Sequence, residues 1–245
     1  MKKGMFTGIV VIMVVAAAVI GIGQYKTRSR QSQLASQIIA LGGGGTPQGI
    51  ADLRKAIGLY EQKIEAHVKD AVQTGAYWKI LAGRLSDKSM DKEALEALEH
   101  AISYLPEDPY LFYLTGLSAG VVAKSSMNFN GVDDRSRYFA IAEAGYLRAI
   151  ELSPRYPRPR YGIGVLYAFE LNRPAEAIPH LELFLTLTDN DTIDCLFVLA
   201  RAYYMTGRFQ NAIECYDRII KESKNPTEKQ QADDDKETVR RQMRG

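Results

Sequence analysis

From residue 75 onward, apolar residues recur at helical spacing in paired blocks. In AYWKILAGRL, residues Trp78, Leu81, Ala82 and Leu85 follow i, i+3, i+4, i+7, which is one face of a helix. The spacing returns as Phe112, Thr115, Gly116 and Ala119, then as Tyr161, Gly164, Val165 and Ala168, and again as Leu196, Leu199, Ala200 and Tyr203. A small residue stands among large ones each time. Such a dent predicts a second helix lying in it. Each block is followed by a stripe that opens on alanine and carries a large residue four positions later: Ala94 with Leu98, Ala142 with Tyr146, Ala177 with Leu181, Ala212 with Tyr216. Pro106 and Pro154 stop two of these second helices, because proline lacks the N–H donor and clashes with the preceding turn.

The blocks have a period. Ala142, Ala177 and Ala212 stand about 35 residues apart, close to the 34 of a two-helix repeat, whereas Ala94 and Ala142 are about 48 apart. The pattern resembles the tetratricopeptide (TPR) repeat family, whose W-x2-L-G-x2-Y, A-x3-F and P positions are matched by Trp78, Leu81, Ala82, Leu85, Ala94, Leu98 and Pro106. Ala82 and Ala200 replace the usual glycine, and Thr115 and Gly164 stand where leucine is usual. The resemblance implies an all-α fold, a TPR-type helix-turn-helix solenoid. Its four units are 75–108, 109–154, 158–190 and 193–226. Residues 47–74 are expected to form a divergent helical hairpin or capping segment. The polar tail, 227–245, either caps the array or frays. The second unit holds about 14 extra residues near 124–137, KSSMNFNGVDDRSR, whose composition predicts an exposed loop. Met127 and Phe129 on it are a possible second contact point.

Ahead of the repeats the pattern changes. After a short tail, 1–4, no charged residue occurs from Met5 to Gly23, and about 19 helical residues make a rod of about 28 Å. This matches a hydrocarbon core of about 30 Å and predicts a transmembrane signal anchor. A cleaved signal peptide is the competing reading, with Gly21 and Gly23 as the small residues before the cut. Residues 24–46 then read as a basic juxtamembrane helix followed by a Gly-rich linker. Charges flank the span on both sides, so the positive-inside count does not orient it; long domains translocate regardless, which places the repeat domain outside the cytoplasm.

Composition narrows the chemistry. A formal net charge of +2 argues against a nucleic-acid partner. His67, His100 and His180 lie in helical patterns without metal-ligand spacing, Glu96 being the natural partner of His100 one turn away. DNDTID lacks the glycine and distal glutamate of a calcium loop, and its Asp191 fits a helix N-cap. Cys195 and Cys215, on two helices turning near Gly207, fall out of register and are expected as free thiols. No nucleophile–base set is suggested, so no catalytic residue, metal or cofactor is expected. SPRYPRPRY is either a plain inter-repeat turn or a contact for a small anion or an acidic peptide through Arg155, Arg158 and Arg160.

The stripe beside each packing face is expected to line a concave groove. It contains Lys79, Tyr110, Tyr113, Leu117, Leu166, Phe169, Phe197, Arg201 and Tyr204. The TPR resemblance implies a protein or peptide partner there. The carboxylate clamp of chaperone-binding relatives is not implied, because Gly83, Leu114 and Ile163 stand where clamp residues would accompany Lys79. Self-association or carriage of a small hydrophobic ligand are the alternatives. Trp78 is expected to be mostly buried between its second helix and the next repeat.

Overall fold

The computed structural model describes residues 36, 37, 40, 50–125, 132–189 and 192–244. The predicted span at 5–23 lies outside them, as do Met127, Phe129 and Asp191. Among the described residues no helix is long and apolar enough to cross a membrane. The chain divides into two compact units, residues 1–70 and 71–245.

Nine helices follow one another among the described residues: α1 (Ile50–Ser86), α2 (Asp91–Tyr104), α3 (Pro109–Ser125), α4 (Val132–Leu152), α5 (Pro157–Val165), α6 (Pro174–Leu187), α7 (Thr192–Met205), α8 (Phe209–Glu222) and α9 (Pro226–Arg244). From α2 onward each helix packs on the next in sequence, which is the order of a helical solenoid. Residues 47–74 are expected as a divergent helical hairpin or capping segment; their described part, from Ile50 on, is one continuous helix. Its sequence runs unbroken into the first repeat as the 37-residue α1, because Gly58 and Gly75 weaken a helix without stopping it and no proline intervenes. In the unit 1–70, Leu53, Ile57, Tyr60, Ile64 and Val68 leave an exposed apolar stripe on α1.

The second helices bury their predicted residues. Ala94, Leu98, Ala142, Tyr146, Ala177, Leu181, Ala212 and Tyr216 are all at most 6 % exposed. The dents in the first helices receive them. A Cβ on Gly116 would lie 2.6 Å from the Tyr146 ring and one on Gly162 2.7 Å from it, so this ring is seated on glycine from both neighbouring first helices. Gly164 makes the same room for Leu181. Cys195 and Cys215 are unbridged and buried, and burial pushes both thiols up to about 12.

Three described turns within repeats share one device. Ser89 (φ 57°), Asn172 (φ 51°) and Gly207 (φ 73°) occupy the left-handed region just after the first helix. The next N–H then reaches back into that helix: Met90 to the Leu85 carbonyl at 2.9 Å, Arg173 to that of Tyr167 at 2.8 Å, Arg208 to that of Tyr203 at 2.8 Å.

The structure departs from the sequence reading in three further places. Most of the 124–137 insertion is helix rather than loop: α3 runs to Ser125 and α4 starts at Val132, giving 17 and 21 residues against 14 for α7 and α8. The first helix of the third repeat ends in a π turn, Leu166–Glu170, where the Leu171 N–H donates to the Leu166 carbonyl at 3.0 Å. Trp78 packs as expected against its second helix and the next repeat, on the cluster of Ala97, Leu98 and Leu111, with its ring stacked on His100, centroids 4.4 Å apart; Leu81 beside it departs, at 43 % exposed. His100 therefore serves as a ring partner. The tail does not fray: α9 packs on α8 with Ala232 and Val239 buried, and Lys236 holds Asp217 (3.2 Å) and Asp233 (3.0 Å).

Candidate functional site

Two cavities open within the unit 71–245. The central one, about 360 Å³, lies between α3, α4 and α5. Tyr113, Leu117 and Gly120 come to it from α3, Phe139 and Tyr146 from α4, and Arg158 and Tyr161 from α5. The π turn delivers Glu170 to its edge. The second cavity, about 330 Å³, lies where α7 meets α9 and is walled by Phe169, Phe197, Arg201, Tyr204, Tyr216 and Asp235.

Most of the expected groove residues gather at these cavities. Tyr113 and Leu117 line the first, while Phe169, Phe197, Arg201 and Tyr204 line the second together. Three of the expected residues are placed differently. Leu166 is 4 % exposed, and its π turn directs it into the core at the cavity floor rather than onto an open groove. Lys79 is committed to Asp108 at 2.8 Å, and its ammonium sits over the Tyr110 ring at 4.8 Å, so it is no free cation. Tyr110 is thereby a partner of Lys79, and neither residue lines either cavity. Asp108 serves twice, since its other oxygen accepts the Tyr110 N–H at 2.9 Å. Arg201 lies over Phe169 at 4.7 Å, a cation–π contact joining the third and fourth repeats.

The charges of the central cavity are unequal. Glu170 accepts from Lys124 at 3.0 Å and from Arg135 at 3.1 Å. Arg158 is exposed on the rim, and among the described residues it has neither an ion pair nor a hydrogen bond. Two of the arginines of SPRYPRPRY are thus distinguished, because Arg160 donates to the Pro154 carbonyl at 3.1 and 2.8 Å and closes the turn. Burial raises the Tyr146 hydroxyl well above its usual range, and burial and then Tyr113 push Tyr156 up to about 12. In the second cavity burial, and then Asp234, raise Asp235. Tyr146, Tyr156 and Asp235 do not form a nucleophile–base pair with one another. Among the described residues no group of His, Cys, Asp and Glu could hold a metal ion. His180 leaves Nδ1 buried without a partner, and burial lowers its pKa toward a neutral ring beside Tyr167.

The sequence reading missed Phe139, Tyr146, Glu170, Tyr216 and Asp235 as cavity walls. Tyr146 and Tyr216 were legible as packing residues, and each also turns an edge to the groove. Glu170 reaches the site only because the π turn adds a residue, and Asp235 only because the tail folds back.

Comparison with known proteins follows this geometry. Residues 193–226, which hold α7 and α8, match the tetratricopeptide repeat family model. Among solved structures, the chain is similar to the thermophilic TPR protein TTC0263 of Thermus thermophilus, at 20 % identity over 82 % of this chain and 95 % of that one, TM-score 0.53. It is similar to MamA, residue 41 to the end, from Desulfovibrio magneticus RS-1, at 16 % identity over 69 % and 90 %, TM-score 0.53. It is also similar to human IFIT1, solved as a dimer with PPP-AAAA, at 18 % identity over 81 % and 51 %, TM-score 0.57. No curated protein matches the sequence. Likeness at these identities shows the fold, an all-helical TPR-type solenoid.

Proposed function

We propose that this chain is a non-enzymatic scaffold that holds a segment of a partner protein in its groove. It is fixed to a membrane through residues 5–23, with the repeats outside the cytoplasm, as a subunit of a cell-envelope complex serving secretion, folding, cell-wall or flagellar-motor assembly. The observation that carries the reading is the central cavity, an aromatic-walled opening whose apolar surface continues outward over Leu117 and Val121, each 43 % exposed. The uncharged run Met5–Gly23 supports the anchor.

The test is a crosslinking pull-down from membranes with the Tyr113→Ala, Tyr204→Ala double variant, its helicity first checked by circular dichroism. Affinity concentrated in aromatic anchors predicts a loss of at least about 2 kcal/mol for each, enough to remove the partner from the eluate. Glu222, exposed and paired with Arg218 at 2.9 Å, supplies the charge-reversed control. Recovery of the same partners in the same yield by the folded double variant refutes groove binding. A second reading, self-association, is favoured by the α1 stripe of Leu53, Ile57, Tyr60 and Ile64. Light scattering of the full chain in detergent separates the two.

A further inference from the structure

The central cavity is kept open at a cost to its own helix. Gly120 stands within α3, where glycine weakens a helix relative to alanine. Gly116, one turn earlier, is explained by the Tyr146 ring that fills its space; a Cβ on Gly120 would meet nothing within 4 Å. The absent side chain therefore gives depth to the cavity and packs against nothing. At about 360 Å³ the space is near the lower end of ligand sites, roughly 300–1,000 Å³, and suits one or two side chains.

Its rim is positively biased. Lys124 and Arg135 already share the single carboxylate of Glu170, while Arg158, at the start of α5 and about 18 Å along the helix axis from Glu170, has no counter-ion among the described residues. Tyr156, Tyr113 and Asp108 flank that arginine's helix, and Asp108 is held by Lys79. An arginine fork with no internal partner beside an apolar opening complements a carboxylate carried next to an apolar group.

Resting on the groove-binding reading above, the geometry points to a partner segment that seats a large apolar side chain over Gly120 and presents an adjacent Asp or Glu to Arg158. Gly120 and the aromatic walls provide room, and Arg158 provides the choice among apolar partners. Lys124 and Arg135 are engaged by Glu170, so Arg158, without an ion pair among the described residues, is the cation that sets where the acid sits.

The test selects phage-displayed random dodecapeptides on the full chain in detergent, with parallel selections on Arg158→Glu and Gly120→Leu. The wild-type chain is expected to enrich Phe, Leu, Ile or Met beside Asp or Glu. Arg158→Glu is expected to replace those acids with Lys or Arg and to weaken the wild-type peptides about tenfold by fluorescence anisotropy. Gly120→Leu, whose side chain enters open space, should keep its melting temperature and lose the same peptides. Apolar peptides lost on Gly120→Leu but showing no acid preference overturn the inference and leave groove binding standing. Peptides indifferent to Gly120→Leu overturn both. A fatty acid seen by native mass spectrometry and displaced by Gly120→Leu would assign the cavity to lipid and also overturn the inference. Should Gly120→Leu fail to fold, the acid-to-base exchange on Arg158→Glu decides alone.

Discussion

The first and fourth repeats use nearly the same letters and bury them differently. Trp78, Leu81, Ala82 and Leu85 follow the repeat pattern with its tryptophan in place, yet Trp78 is half-buried and Leu81 is 43 % exposed. Leu196, Leu199, Ala200 and Tyr203 lack the tryptophan, and none is more than 6 % exposed. The small residue behaves alike in both, since Ala82 is 2 % and Ala200 0 % exposed. The pattern therefore fixes which side of a first helix receives its own second helix. How much of the rest is buried depends on neighbours on either side: α7 packs on both α6 and α8 and belongs to the large core that runs from Ala119 to Val239. The first repeat contributes to a smaller core around Ala82, Leu98 and Leu111.

This difference predicts unequal costs for equal substitutions. Leu199→Ala should lose about 2–5 kcal/mol, the range for a buried leucine, whereas Leu81→Ala should lose less than about 1 kcal/mol. Urea unfolding of the two variants checks this, and equal losses would remove the distinction. The helix contacts themselves should be equally tight, since Ala94 and Ala212 are both fully buried. Ala94→Leu and Ala212→Leu are each expected to cost about 1–3 kcal/mol by overpacking, read as matching drops in melting temperature. A tolerant Ala94 would show that the first helix pair is loose as well as exposed. The smallest effect concerns the turns. Ser89 holds the left-handed conformation that Gly207 adopts freely, so Ser89→Gly should gain about 0.5–1 kcal/mol and Gly207→Ser should lose a similar amount. Reversal of either sign in denaturant titrations would mean that the two turns are not equivalent.

Repeats, pairing and the inner residues of the second helices were legible because a 3.6-residue period and a recurring alanine leave little freedom. Side-chain allegiance was less legible. Lys79 reads as a groove cation until Asp108, 29 residues away, is found at 2.8 Å. The third repeat matched poorly at Gly164, which makes room for Leu181, and beyond it the π turn places Phe169 at one cavity and Glu170 at the other, which a fixed spacing cannot express. The long α1 failed differently. Each local segment favoured helix, and nothing local distinguished one helix from two.

The packed tail gives the last described repeat a polar outer face. A solenoid grows by adding a copy of what it already has, so each exposed terminal helix is a template for another unit. Here α9 supplies Ala232 and Val239 to the inside and a surface of Asp234, Glu237 and Arg241 to the outside. The inward side has the chemistry of a next repeat, and the outward side offers nothing on which a further one could be laid. In the language of polymers, α9 is a chain terminator, and a protein ending before Pro226 would carry a reactive end that could propagate head-to-tail into fibres.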